Sequence, residues 1–506
     1  MSSGRVGRLA AIALPILLWM GCGQVYRPVV IPCSEGGVPG CPPQTNPIPS
    51  NFHAVFAIST NVPNDPGGAM QIDVSGDSVI GATPTDDLSK PNLGDNPTHA
   101  AIFPNNSRVF VASSGSVLSG GIDVVSSFTP VAQSTLGTGL GAVTTINLPT
   151  GSLPVFVNTT QNTAVYVANF GTNSVSAINT NSNVVTNTAS VGINPVAMAE
   201  TPNALKLYVA NQGSNTVSSL NTVDLSPNTV TGFSGVTPVW AVARTDSQKV
   251  YVLTQGDGQL VTIDVATDTV TSSLPVGAGA NFVFYDSNLN RLYVTNPVTA
   301  MVYVFSAADG ANDTPTQLAA FSFASGSAPC PTGCTPVSVT ALLDGTRFYV
   351  ASYETATACP DPSVTGACVI PGLTVFDANS LTLKVTPALQ LLASLPFATT
   401  TWPFATNQYA VAPVASCATA PLYSPTTTRF RVFTVAAADS SRVYVSMCDA
   451  GAVAVINTTD GNANNSGSGV VPDTLSTDLL TAYSAGLTQA NGEPPLQNPI
   501  FLLMGQ

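Results

Sequence analysis

Side chains able to do acid–base or metal chemistry are sparse in this 506-residue chain. Only two histidines exist, His53 and His99, each inside or just before a run that reads as a strand. Neither has a second His or a Cys at ligand spacing, so each reads as a satisfied structural histidine rather than a base or ligand. Asp286-Ser-Asn288-Leu-Asn290 looks like the opening of a calcium loop, but Arg291 stands where that loop needs Gly, and Pro297 where it needs Glu. Pro104-Asn-Asn-Ser-Arg108, Leu343-Asp-Gly-Thr-Arg347 and Asp439-Ser-Ser-Arg442 occupy the same point of other repeats, so the segment is a hairpin turn. Gly137-Thr-Gly139-Leu-Gly141 lacks the strand-then-helix context of a phosphate loop. The sequence therefore names no catalytic residue, no metal ligand and no cofactor.

Nine cysteines remain. Setting Cys22 aside leaves an even eight, which by proximity pair as Cys33 with Cys41, Cys330 with Cys334, Cys359 with Cys368, and Cys417 with Cys448 at longer range. Eight cysteines allow 105 connectivities, so this pairing is an expectation. It implies an oxidising compartment. Zinc at Cys330-Pro-Thr-Gly-Cys334 is disfavoured, because no CxxC pair exists and a structural site wants four N or S ligands.

The elements that carry these residues are read from composition first. Charged residues are 8% of the chain, against about 25% in ordinary domains, and the formal net charge is −13. No basic stripe exists to neutralise phosphates, which excludes nucleic acid as a partner. Apolar residues are 44%, in short runs of Val, Ala, Leu and Ile broken by Gly, Pro, Asn, Ser and Thr. That pattern excludes both a polytopic membrane protein and a disordered chain.

The longest apolar run, Leu9 to Gly21, follows Arg5 and Arg8 and ends at Cys22. It is too short to span a bilayer of about 30 Å but suits a secretory signal. Leu18-Trp19-Met20-Gly21-Cys22 resembles the lipobox of bacterial lipoproteins. Gly21 and Cys22 match; Trp19 departs from the usual Leu. The resemblance implies a signal peptide over 1–21 and lipidation of Cys22, and Gly23, in place of Asp, implies the outer membrane or cell surface. The alternative is an ordinary signal peptide of a secreted or periplasmic protein, with Cys22 discarded or disulfide-bonded. Residues 22–50, rich in Pro and Gly, read as an extended tether.

Over 51–506 a repeat sets the organisation. Arg108-Val-Phe-Val-Ala, Ala164-Val-Tyr-Val-Ala-Asn, Lys206-Leu-Tyr-Val-Ala-Asn, Lys249-Val-Tyr-Val-Leu, Arg291-Leu-Tyr-Val-Thr-Asn, Arg347-Phe-Tyr-Val-Ala and Arg442-Val-Tyr-Val-Ser are copies of one motif, and Tyr166, Tyr208, Tyr251 and Tyr293 lie 42, 43 and 42 residues apart. Upstream of five copies stands Gly-x-x-Pro, at Pro97, Pro154, Pro195, Pro238 and Pro336, where Gly permits positive φ and Pro opens a strand. Further β runs follow each motif, so a unit is four short strands with no helical period. Such units make a β-propeller. Leu292-Tyr293-Val294-Thr295-Asn296 and Asn215-Thr-Val-Ser-Ser-Leu-Asn221 carry a resemblance to the YVTN-type β-propeller repeat proteins of microbial cell surfaces, covering most of residues 51–506.

The expected fold is all-β: a single propeller of four-stranded antiparallel blades. Ala54–Ile58, Met70–Val74 and Val79–Ile80 read as strands two to four of a blade whose first strand is Asn498–Met504. Seven full units and this composite give eight blades, with seven as the alternative. Two insertions stand out, Tyr353–Pro371 and Ala393–Thr428, and both loop classes emerge on one rim. Tyr353, Trp402, Phe404, Tyr409 and Tyr423 are the candidate binding residues there, with plain packing of those aromatics as the alternative. The functional expectation is a surface-anchored, monomeric module that binds a protein or glycan and touches the membrane only through its lipid. The alternatives are a lactonase-like or oxidoreductase-like enzyme using the channel, and a structural envelope protein. Replacing Cys22 by Ala should move the protein from the detergent phase to the soluble fraction; unchanged partitioning would refute the lipid anchor.

Overall fold

Each aromatic motif is the second strand of a sheet, and its side chains are buried on both faces. Val109–Ser113 and Lys249–Thr254 are buried along their whole length. Alternating Val, Tyr and Ala on a pleated strand present apolar groups to both sides, so each sheet must be covered by a neighbour on either side. The computed structural model describes residues 54–61, 65–74, 78–82, 96–114, 124–130, 140, 143–159, 164–309, 313–359, 364–384, 411–414, 417, 430–458, 474–475, 480–481 and 498–505. Eight antiparallel sheets meet this requirement as the blades of one propeller, with no helix among the described residues. Seven blades follow chain order. Their innermost strands are Pro97–Ile102 (blade 2), Pro154–Asn158 (blade 3), Pro195–Glu200 (blade 4), Pro238–Ala243 (blade 5), Phe282–Asp286 (blade 6), Thr335–Ala341 (blade 7) and Val432–Ala436 (blade 8).

Blade 1 is the composite. Asn498–Met504 pairs with Ala54–Asn61, which pairs with Asp65–Asp73 and then Ser78–Ala82. Every innermost strand packs on the innermost strands of the blades to either side, so the ring closes at eight. The seven-bladed alternative is thereby removed.

The Gly-x-x-Pro signal marks the entry to the inner strand, but its glycines serve two purposes. Gly151 and Gly333 have positive φ. In blades 2 to 5 the residue before the proline is left-handed, Asn96 (φ 53°), Leu153 (φ 45°), Asn194 (φ 53°) and Thr237 (φ 56°). In blades 4 and 5 Gly192 and Gly235 make room: a Cβ would lie 2.4 Å from Ser214 Oγ or 2.4 Å from Thr254 Cγ2. Two residues past the proline the register shifts, in the pairs Pro97/His99, Pro154/Phe156, Pro195/Ala197, Pro238/Trp240 and Pro336/Ser338. A bulge of this kind re-aims the following side chain. The hairpin reading of Asp286 also holds: its Oδ1 accepts the amides of Asn288 and Leu289, and Asn290 takes φ 51°.

The scarce basic residues act between blades. A carbonyl just past the third strand, or near its end in the case of Ala307, accepts a hydrogen bond from the preceding blade in six cases. Arg108 reaches Thr180 O at 2.6 Å, Lys206 reaches Val265 O at 2.7 Å, Arg347 reaches Thr458 O at 2.7 Å, and Arg291 reaches Ala378 O. The motif tyrosines do the same: Tyr166 Oη donates to Thr222 O at 2.9 Å and Tyr251 Oη to Ala307 O at 2.5 Å. Tyr208 Oη donates to Asp268 Oδ1 at 2.5 Å, while Lys206 Nζ holds the other oxygen at 2.7 Å. Burying such a ring removes roughly 150–250 Å² from water, roughly 4–6 kcal/mol at about 25 cal/mol per Å². The hydroxyl adds about 1 kcal/mol, more to a carboxylate, so burial holds the blades together and the bond sets their register. Tyr208→Phe should therefore cost about 1.5–3 kcal/mol, and Tyr166→Phe, facing a neutral carbonyl, about 1 kcal/mol. Urea midpoints check this; equal midpoints for wild type and Tyr208→Phe would sink the clamp.

Candidate functional site

One rung of the inner strands is equivalent in all eight blades: the residue paired two positions past the motif aromatic. It carries His99, Phe156, Ala197, Trp240, Phe282, Ser338, Phe433 and Phe501. In blades 1, 2, 3, 4, 5 and 7 this is the second residue after a proline, directly beyond the bulge. The side chains point to the propeller axis, because rings from blades that are not neighbours touch. His99 and Trp240 lie 6.1 Å apart between centroids, Phe156 and Trp240 5.6 Å, and Phe282 and Phe433 5.6 Å. His99 stacks on Phe156 at 3.7 Å and contacts Phe501 at 4.7 Å. Phe430, from the connection entering blade 8, completes the layer against Trp240, Phe282, Phe433 and Phe501. The four inner-strand phenylalanines are buried, whereas His99, Trp240 and Phe430 are half-buried. No carboxylate occupies this rung, and no cluster of three or more His, Cys, Asp or Glu exists among the described residues.

His99 is the titratable member. Burial among rings pushes its pKa down to about 3, against the opposing effect of a hydrogen bond to the Val157 backbone. Its Nδ1 is buried with no hydrogen-bond partner, so the expected satisfied histidine is satisfied on one side only. His53 lies outside the described residues.

The second feature is the insertion-bearing rim of blades 7 and 8. The 353–371 insertion is not an open loop at its base. Arg347–Ala356 and Cys368–Asp377 continue pairing through Tyr353↔Pro371 to Ala356↔Cys368, because Val369 and Ile370 extend the β pattern. The disulfide Cys359–Cys368 closes the tip, and Cys330–Cys334 braces the connection into blade 7. The larger insertion is tied down at three points. Val411 exchanges both backbone hydrogen bonds with Val369 (2.9 and 3.1 Å), the Val414 amide donates to Asp449 at 2.8 Å, and Cys417 bonds Cys448. Beneath lies Arg431, 3.8 Å from Asp449 and 5.5 Å over the ring of Tyr353. Burial raises the Asp449 carboxyl above its ordinary value, opposed by the Val414 amide and Arg431, and burial likewise raises the Tyr353 hydroxyl.

Of the candidate binding residues, Tyr353 is thus buried at 9% exposure with its face on Arg431. Trp402, Phe404, Tyr409 and Tyr423 lie outside the described residues, as do Cys22, Cys33 and Cys41. The sequence reading missed the channel layer. Its signal was present in Pro97-Thr-His99, Pro154-Val-Phe156, Pro238-Val-Trp240 and Pro499-Ile-Phe501, a ring two residues after each proline.

No protein-family model matches the chain, and no curated protein is similar to it. Solved structures match the chain at low identity. A candidate 6-phosphogluconolactonase of Bacteroides uniformis is 12% identical over 67% of this chain and 96% of its own, with a TM-score of 0.45. A protein from Lactobacillus plantarum is 16% identical over 66% and 95%, with a TM-score of 0.45. The hydrazine synthase of Kuenenia stuttgartiensis is 14% identical over 65% and 86%, with a TM-score of 0.41. These likenesses concern the fold alone.

A group with a folded pKa of about 3, below its unfolded value near 6.5, contributes stability that is full above pH 6.5 and is lost as pH falls toward 3. His99→Phe keeps the ring and removes the proton site. Urea midpoints measured from pH 7 to 3.5 should fall less steeply for this variant than for wild type; parallel slopes would contradict the assignment.

Proposed function

We propose that this chain is an exported binding module of the YVTN-type propeller class, held at the outer membrane or cell surface through Cys22 and presenting the rim of blades 7 and 8 to a protein or glycan partner. The observation that carries this reading is the three-point attachment of the larger insertion through Val411, Val414 and Cys417. Fixing an insertion to a rigid ring by a covalent bond, a backbone exchange and a buried carboxylate lowers the entropy lost when a partner binds it. Long insertions on rigid scaffolds commonly carry recognition. Three disulfides are consistent with an extracellular or periplasmic setting, where such bonds persist. The module acts as a monomer in this reading, since ring closure covers the apolar faces of the blades.

The channel enzyme gains no specific support, because the axial rung offers rings rather than carboxylates. Crosslinking on intact envelopes tests the binding reading, comparing the whole chain with a variant lacking 393–428 and with Cys417→Ser. The expected result is a partner captured by the whole chain, lost with the deletion and reduced severalfold by Cys417→Ser. Identical recovery with and without the insertion would refute the rim as the binding face.

A further inference from the structure

The channel layer holds one ring too many for its architecture. Seven of its aromatic side chains meet at one level, and six of them belong to the inner strands. Phe430 does not; it lies two residues before the inner strand Val432–Ala436, on the connection that leads from the larger insertion. Its ring meets Trp240 at 5.8 Å and 89°, Phe282 at 5.5 Å and 82°, and Phe433 at 4.7 Å and 64°. Three edge-to-face contacts with a fourth ring, Phe501, at 6.5 Å form a box that recognises an aromatic ring. Closing the propeller does not demand this box, because Ala197 and Ser338 fill the same rung in blades 4 and 7.

Two further observations point to a ligand. Phe430, Trp240 and His99 all keep partial exposure, so the layer borders open space. His99 Nδ1, buried and without a partner, belongs to a ring in contact with Trp240 and Phe501, two of the four rings around Phe430. A neutral imidazole that donates from its other nitrogen presents Nδ1 as an acceptor, and an unmatched buried acceptor favours a ligand carrying a hydroxyl.

We propose that the aromatic layer across the channel is a binding site for small phenols, in which the phenol ring takes the seat now filled by Phe430 and its hydroxyl donates to His99 Nδ1. Phe430 is then a resident competitor for that seat. The site is independent of whatever partner the rim holds.

The test is calorimetric titration of the mature chain with p-cresol and with toluene, for wild type, Phe430→Ala and Phe430→Leu, and for each combined with His99→Phe. Wild type should bind p-cresol saturably but weakly, and emptying the seat should tighten binding at least tenfold, because the competitor no longer has to leave. Toluene should bind the emptied seat about tenfold more weakly than p-cresol, and His99→Phe should erase that difference. Phe430→Leu, which keeps apolar bulk, replaces Phe430→Ala if the latter does not fold. Absence of saturable binding in wild type, with binding in Phe430→Ala alone, would mean an engineered cavity only and overturn the proposal. Equal affinity for toluene and p-cresol, or a difference that survives His99→Phe, would overturn the role of the histidine and with it the phenol assignment.

Discussion

Every blade of this protein is apolar on both faces, and a sheet of that kind is stable only between two others. Val109–Ser113 and Lys249–Thr254, buried from end to end, have no solvent side at all. A row of such sheets would still leave two apolar faces at its ends, so the row must close. Pairing of Asn498–Met504 with Ala54–Asn61 does this, since it builds the last blade from both ends of the repeat and makes ring closure a matter of backbone hydrogen bonds. The remaining features are arranged around that closed ring.

The low charge follows from the same constraint. Between two covered faces a charged group is tolerated only where its hydrogen bonds are met. Arg108, Lys206, Arg291 and Arg347 stand two residues before the motif aromatic, where they cap a carbonyl of the next blade. Arg244 does the equivalent in blade 5 through a bidentate pair with Asp313 at 2.5 and 2.6 Å. These bases serve as fixed connectors between sheets, which is consistent with a chain that has so few of them and no basic patch.

The two candidate sites differ in what made them legible. The rim insertions break the length of the repeat, and a break in a period shows in a sequence. The channel layer lies inside the repeat, on a rung where His, Phe, Trp, Ala and Ser alternate, and that variety hides it. In blades 2, 3 and 5 a bulge after the strand-opening proline re-aims the side chain, a step the sequence period does not show. Tyr353 illustrates the opposite error of emphasis: its place in an insertion suggested a surface ring, but the hairpin continues through it and Arg431 covers its face.

The sequence alone determined the all-β repeat, the four strands per blade, the composite closing blade and the pairs Cys330–Cys334 and Cys359–Cys368, because these depend on local period, turn chemistry and proximity along the chain. The rest required tertiary structure. Ring closure at eight depends on the fit of neighbouring sheets, which no single repeat encodes. The meeting of His99, Trp240, Phe430 and Phe501 at the axis depends on eight strands converging from separate blades. The Cys417–Cys448 bond was already the pair left over by the cysteine count, but the Arg431–Asp449 pair beneath it depends on blade 8 packing under the insertion. Distances between repeats are set by packing, and packing is a property of the closed ring.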